Sequence, residues 1–185
     1  MGRFTLLRAL LVVLIAGFAI LPAGALAAKP EIFHAQISET EEDVDVCGVI
    51  VDIATEVVFT DKAFFDKEGN FISFQSTSSG MVTFTAENGK SISNQFANQY
   101  VEAAAIVDET AGTITFVYSF KGLPETLRTP QGPVLLRDAG FITFADTFDL
   151  AGEFLSSEIL VNKGTHPEAE SDFTLFCEIF TEALA

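Results

Sequence analysis

The two imidazoles of this chain, His34 and His166, are the first side chains to consider for chemistry. His166 is followed by Glu168 and Glu170, and a histidine beside carboxylates could hold a metal ion or act as a general base. No second ligand stands at a spacing typical of a metal site, so a solvated loop histidine is the favoured interpretation. We expect no metal and no cofactor, and we take His166 and Glu168 as the candidate polar site.

Other patterns typical of enzymes are missing from the sequence. It has no nucleophile-elbow motif, no phosphate-binding glycine loop and no His-x-x-x-His pair. The acidic run 39–45 lacks the alternating ladder and the glycine of a calcium loop. Asp146 and Asp149 could pair as glycosidase acids, but they flank a predicted turn, where Asp is favoured for backbone reasons. The sequence therefore favours a non-catalytic protein over an enzyme.

The first 27 residues have the pattern of an export signal. Arg3 and Arg8 flank the start of an apolar run, residues 9–21, and the small-residue site Ala25-Leu26-Ala27 follows it. This order predicts a secretory signal peptide cleaved after Ala27. The run is short of the roughly twenty residues that a membrane-spanning helix needs, so an uncleaved anchor is the less favoured alternative. We predict a secreted, extracellular protein with no stable membrane insertion after cleavage.

The part of the chain after Ala27, which is predicted to be exported, is strongly acidic and has two cysteines. All 26 acidic residues but only eight of the ten basic ones follow Ala27, which gives a net charge of −18. Such a chain repels nucleic acid, so a small apolar ligand or a cell-surface component are the partners left open. Cys47 and Cys177 are predicted to form a disulfide in an oxidising compartment, with two buried free thiols as the alternative.

Apolar and polar residues alternate with period two from residue 49 onward, which predicts strands. Residues 28–46 are too acidic to fit this pattern and predict a flexible lead-in, so the β-rich domain is expected to span residues 47–185. Asp66 to Gly69 and Asn88-Gly89 are turn signals. The predicted strands are 49–59 (extending to 65), 70–75, 81–86, 90–96, 100–107, 113–121, 134–136, 141–148 and 154–161. Residues 76–79, 122–133 and 138–140 are predicted connections.

The fold class that follows is all-β. Short turns without crossover helices predict an antiparallel meander, closed as a β-barrel of about eight strands, with a β-sandwich as the alternative. Only the tail predicts a short helix. Ser171 and Asp172 can cap it, and it would lie against the first strand through the disulfide. Its apolar face would carry Phe173, Phe176, Cys177, Phe180 and Leu184.

Five short motifs together resemble a group of small secreted, β-rich proteins of high-GC Gram-positive bacteria. They are Cys47-Gly48, the hairpin 88–91, Gly-Thr-Ile-Thr at 112–115, the run 134–140 and Phe176-Cys177. The resemblance covers residues 47–185 and implies export and a β-rich domain with a terminal disulfide, without a particular activity. The acidic lead-in and residues 164–170 are longer and more charged than in that group.

Two classes of function stay open. The favoured one is a secreted non-catalytic module of structural or interaction type, and its variant is a barrel that binds a small apolar ligand. The other is a barrel enzyme without a recognisable motif, such as a cyclase. Seventeen phenylalanines follow residue 27. We expect rings such as Phe116 and Phe120 to fill the barrel interior, and a ring-lined pocket is the alternative.

Overall fold

The computed structural model describes residues 29–130, 132–171 and 174–185. The predicted signal peptide, residues 1–27, lies outside this part of the chain. Among the described residues, no helix combines the length and the apolar character that crossing a bilayer requires. The secreted location therefore stays a prediction at this point.

Eight strands form one antiparallel sheet, which confirms the all-β meander. The spatial order is β1-β2-β3-β4-β6-β7-β8, and the short β5 pairs with β6 alone. Apart from β4 and β5, which do not pair with each other, consecutive strands are sheet neighbours because tight turns join them. The strands are β1 (Glu31–Val46), β2 (Val49–Phe65), β3 (Phe71–Ala86), β4 (Ser91–Ala103), β5 (Ile106–Asp108), β6 (Thr113–Arg128), β7 (Val134–Asp149) and β8 (Phe154–Thr165).

The two predicted turns are confirmed. After β2, the Asp66 carboxylate accepts hydrogen bonds from the N–H groups of Glu68 and Asn70, at 2.9 and 2.8 Å. After β3, Asn88 Oδ1 accepts one from the Lys90 N–H at 2.9 Å, and Gly89 takes a φ of +81°. Glycine adopts this left-handed conformation without the steric cost that a Cβ brings.

The predicted barrel is wrong, and so is the sandwich. Strands β1 and β8 lie at the two ends of the order, so the sheet is open. Six antiparallel neighbour pairs leave β1 and β8 pointing in the same direction. Closure would therefore need a parallel pair, which a chain of hairpins does not supply. No second sheet is found among the described residues, so layer-on-layer packing of sheets is absent there as well.

Several predicted connections lie inside strands. The residues 76–79 belong to β3, 138–140 to β7, and most of 122–133 to β6. The expected flexible lead-in, residues 28–46, is also incorrect because most of it forms β1, which pairs with β2 along its length. In each case ladder hydrogen bonds to neighbouring strands outweigh local composition. The carboxylates of β1 stay in water, as is common on edge strands.

A row of glycines crosses three strands. Gly122, Gly140 and Gly164 are paired in register on β6, β7 and β8, with φ values of +114°, +142° and +128°. A Cβ at Gly140 would lie 2.2 Å from Lys163 O, and one at Gly164 would lie 2.3 Å from Ala139 O. Only glycine fits such close backbone approach, which interrupts the regular pleat. The row divides the face of the sheet that the C-terminal helices contact into two halves, which we call the lower half and the upper half.

The lower half is covered by the C-terminal helices α1 (Pro167–Glu170) and α2 (Leu175–Leu184). The predicted helix is thus confirmed, although it begins at Leu175 with Thr174 as N-cap. Asp172 and Phe173 lie outside the described residues. We call the sheet face that α2 covers the front face. Its buried core consists of Val46, Val51, Phe84, Ala86, Ile92, Leu127 and Leu136 with Phe180 and Leu184 of α2.

The predicted disulfide is confirmed, and the alternative of free thiols is wrong. Cys47, in the turn between β1 and β2, is bonded to Cys177 on α2, with the two Cα atoms 5.3 Å apart. The bond closes a sequence separation of 130 residues. Such a long loop restricts the unfolded chain strongly. The disulfide therefore holds α2 beside the beginning of β2.

Substitution of Phe180 by alanine tests the helix packing. The ring is fully buried and contacts Phe84 edge to face at a centroid distance of 5.1 Å. We expect Phe180→Ala to lower the free energy of unfolding by about 3–5 kcal/mol, measured by urea denaturation. The matched control, Phe33→Ala, removes a ring that is 58% exposed on β1 and should cost less than about 1 kcal/mol. Equal losses in the two variants would show that α2 does not form the core.

Candidate functional site

His166 lies fully buried after β8, not in a solvated loop as expected. Its Nδ1 is 2.5 Å from Asp138 Oδ1 on β7, and its Nε2 is 3.3 Å from Lys163 O. Because Gly140 has no side chain, there is room for the imidazole ring of His166; a Cβ at this position would lie 2.9 Å from Nε2. The close approach of β7 and β8 therefore places the imidazole against the sheet. His34 lies elsewhere, exposed on β1 beside Thr60.

Three carboxylates belong to the same cluster, which we call the buried acid cluster: Glu125, Asp138 and Glu168 with His166. Burial raises the pKa of Glu125 to about 7, and the charges of Glu168 and Asp138 act in the same direction. Asn94 Nδ2 opposes this by donating a hydrogen bond to Glu125 Oε1 at 2.9 Å. Burial also raises the pKa values of Asp138 and Glu168, and His166 opposes the shift at Asp138.

The cluster joins the helices to the sheet, and its imidazole has no access for a substrate. His166 is inaccessible to solvent, and Glu168 Oε1 is buried without a hydrogen-bond partner. In the part of the chain that the structure describes, no three His, Cys, Asp or Glu side chains are arranged to hold a metal ion. The two predicted site residues thus lie in one cluster, but the partner of His166 is Asp138. Glu170, also considered, is exposed.

The upper half of the front face carries aromatic rings, which we call the aromatic patch. Register places alternate residues of each strand on this face, so Tyr100 lies opposite Phe120 and Tyr118 opposite Phe144. Ring centroids are 5.2 Å apart in the first pair and 5.4 Å in the second. The patch comprises Phe74, Tyr100, Phe116, Tyr118, Phe120, Phe144 and Phe148.

Phe116 and Phe120 are only partly buried in this patch. The expectation that they fill a closed barrel fails with the barrel itself, because an open sheet has no interior for them to fill. Their rings instead stand beside those of neighbouring strands, as in the edge-to-face contact of Phe116 with Phe148 at 5.8 Å. The aromatic patch is therefore a ring-covered part of the sheet surface and not the core of a closed barrel.

Two carboxylates lie within the aromatic patch. The Tyr118 hydroxyl donates a hydrogen bond to Asp146 Oδ2 at 2.8 Å, and the Ser157 hydroxyl donates one to Asp146 Oδ1 at 2.6 Å. The Tyr100 hydroxyl donates to Glu102 on the same strand. Burial, followed by these hydrogen bonds and the nearby negative charges, raises the pKa of both tyrosines. The phenols therefore stay protonated and act as donors.

Neither of these two carboxylates has a cationic side chain as partner in the part of the chain that the structure describes. Within the described ranges the only ion pair joins His166 and Asp138. Tyrosine hydroxyls orient the carboxylates but leave their negative charge in place. Glu102 and Asp146 therefore present uncompensated charge among aromatic rings.

Asp61 on β2 adds a third carboxylate to this face. It lies opposite Ser76, which in turn lies opposite Tyr100, so the three side chains share one face of the sheet. Asp61 is only 7% exposed, and its Oδ1 atom is buried without a hydrogen-bond partner. A buried carboxylate oxygen that lacks a partner is costly unless something else satisfies it. The patch therefore has capacity for a further donor.

Sequence reasoning identified some of these residues and missed others. Asp149 does cap a turn as expected, since its Oδ1 accepts from the N–H groups of Ala151 and Glu153. Asp146, which the sequence offered with Asp149 as an acid pair flanking that turn, belongs to the aromatic patch instead. The alternation of apolar and polar residues indicated the face on which Tyr118 lies. Its hydrogen-bond partner, Asp146, is 28 residues away on another strand. Asp61 and Glu102 gave no local signal.

The buried acid cluster predicts that stability depends on pH. Because the pKa of Glu125 is about 7 when folded and about 4.5 when unfolded, the folded state binds this proton more tightly. Its contribution is fully present below pH 4.5 and is lost as the pH rises through 7. We expect Glu125→Gln to raise the free energy of unfolding at pH 8 by about 2–3 kcal/mol and to flatten its decline between pH 5 and 8.

Urea denaturation at several pH values measures this effect. The control variant Glu109→Gln alters an exposed turn residue and should keep the wild-type pH dependence. A wild-type free energy of unfolding that stays constant or rises between pH 5 and 8 would contradict the assigned protonation of Glu125.

Comparisons with models of protein families, with curated proteins and with solved structures find no match for this chain. Any functional conclusion therefore depends on the side chains themselves. Of the two clusters, the buried acid cluster centres on an imidazole that is inaccessible to solvent, whereas the aromatic patch lies on the half of the sheet that the helices do not cover. The aromatic patch is the candidate functional site.

Proposed function

We propose that this protein is a secreted, non-catalytic interaction module whose aromatic patch binds a cationic group of a cell-surface component. One observation carries the proposal: Glu102 and Asp146 are oriented by tyrosine hydroxyls among aromatic rings, and none of the described residues forms an ion pair with them. A partner that brings an ammonium or guanidinium group supplies the missing charge.

The chemistry of the patch suits such a cation. Aromatic faces attract Lys or Arg head groups through the ring quadrupole, and the attraction is stronger where water is partly excluded. A carboxylate adds charge-assisted hydrogen bonds to the same head group. The patch thus combines the two kinds of contact that stabilise a bound cation.

The charge of the whole chain supports the same class of partner. The sequence carries a formal net charge of −16, and −18 without residues 1–27. A field of this sign accelerates encounters with positively charged partners and disfavours nucleic acid and anionic lipid surfaces. The long-range field therefore brings a cation toward the protein, and the patch provides the local contacts.

The disulfide supports secretion. A bond such as Cys47–Cys177 is typical of proteins that work in an oxidising compartment. Together with the export signal in the sequence, it favours an extracellular location for the module.

Catalysis is the less favoured class. The buried imidazole of His166 cannot reach a substrate, and both cysteines are in the disulfide. A barrel enzyme such as a cyclase shapes its substrate inside an enclosed chamber, whereas this sheet is open. A small apolar ligand is the remaining alternative for the patch, because its rings alone offer apolar surface.

Binding of a lysine decapeptide tests the proposal. Fluorescence anisotropy of the labelled peptide should show saturable binding at low salt, because the ammonium groups pair with the patch carboxylates. The double variant Glu102→Gln/Asp146→Asn should weaken binding at least about tenfold. The control Glu109→Gln/Glu153→Gln also removes two negative charges, but from exposed turns outside the patch. It should change the affinity less than about threefold.

Three outcomes would contradict this function. Equal weakening by the two double variants would indicate diffuse attraction to an acidic surface. Equal binding of the lysine-acetylated peptide would indicate an apolar site, since acetylation removes the charge but keeps the side-chain stem. If neither the lysine peptide nor its acetylated form binds, recognition of lysine is excluded. Circular dichroism of each variant confirms that the fold is retained.

A further inference from the structure

The outer edge of β8 is uncovered along almost its whole length. Eleven of its twelve residues are exposed, and none of the described strands pairs with its outer side. Four large apolar side chains on it are exposed: Phe154, Leu155, Ile159 and Leu160. Unpaired backbone groups beside apolar side chains form a template for another strand.

The other edge of the sheet, β1, has features that discourage pairing. It carries six carboxylates, and Asp43 adopts a φ of +57° at an irregularity between Glu41 and Val44. Charge and irregular backbone are common means of protecting an edge strand. By contrast, β8 has one acidic and one basic residue, Glu158 and Lys163. On so acidic a chain, two copies meet with least repulsion at this neutral edge.

We propose that two copies of this chain pair through β8 as a symmetric antiparallel dimer, with Leu160 of one copy opposite Val161 of the other. An antiparallel arrangement follows because identical strands related by a two-fold axis run in opposite directions. The pairing joins the two sheets into one continuous sheet. It goes beyond the proposed function, since it uses an edge and not the aromatic patch.

Charge complementarity selects this register. With Leu160 opposite Val161, Glu158 of each copy lies opposite Lys163 of the other, so the ion pair forms twice. Register with β7 places both side chains on the same face, because Glu158 pairs with Ala145 and Lys163 with Phe141. Opposite charges that face each other across an antiparallel pair stabilise it, and like charges destabilise it.

The same register places apolar side chains at the two-fold axis. Leu160 and Val161 of each copy meet there, Ile159 of each copy lies opposite Asn162 of the other, and the two ion pairs lie on either side of them. Leu160 is the extra residue between the pairs Phe144–Ile159 and Thr143–Val161, and it is 47% exposed in one copy. An apolar centre between charged pairs is the usual anatomy of a specific interface.

A charge swap tests the dimer and its register together. Sedimentation equilibrium of residues 28–185 should show a monomer–dimer equilibrium. Glu158→Lys and Lys163→Glu should each raise the dissociation constant at least about tenfold, because each replaces two attractive pairs by two repulsive ones. The double variant Glu158→Lys/Lys163→Glu keeps the net charge and restores both pairs, so its dissociation constant should return to within about threefold of the wild type.

A control on the opposite edge separates local pairing from general charge. Glu41→Lys on β1 changes the net charge as much as Glu158→Lys and should leave the dimer intact. A protein that stays monomeric up to millimolar concentration would overturn the proposal. So would single variants that dimerise like the wild type, or a double variant that fails to recover. Open-ended polymers would indicate head-to-tail pairing of β8 with β1 and would equally overturn the symmetric dimer.

Discussion

Packing of α2 against the lower front face is the interaction on which the rest of the structure depends. A single sheet cannot bury its own face, so a second layer must supply the core. Phe180 and Leu184 of α2 are almost completely buried there. The disulfide fixes one end of the helix, and Asn88 Nδ2 donates a hydrogen bond to Leu184 O at 2.8 Å at the other. The helix therefore clamps the turns at one end of the sheet.

This arrangement leaves two halves with different roles. The lower half is stabilised by apolar burial under α2, and the upper half carries aromatic rings and carboxylates that the helices do not cover. The glycine row and the buried acid cluster lie between them, where His166 and Glu168 meet side chains of β6 and β7. Burying three carboxylates is unfavourable at neutral pH, and apolar packing by the helix offsets that cost. Stability and recognition are thus located in separate parts of one sheet.

Local features of the structure could be predicted from the sequence, and non-local features could not. Alternation, turn residues and helix periodicity act over a few positions, so strands, hairpins and α2 were recognised. The polar residues 76–79 suggested a break, yet each has a partner on β2 and β4. Gly140 suggested a turn because glycine is typical of turns, but here it allows His166 to approach β7. The Tyr118–Asp146 and His166–Asp138 contacts depend on strand register, which no local pattern encodes.

Amide hydrogen exchange along β1 tests the central claim, an open sheet clamped by α2, most directly. On residues 31–38, the N–H groups bonded to β2 should be protected, and the alternate ones that point outward should exchange close to the random-coil rate. Protection of both sets would contradict the account, because it would show that another strand pairs with the outer edge of β1 and closes the sheet.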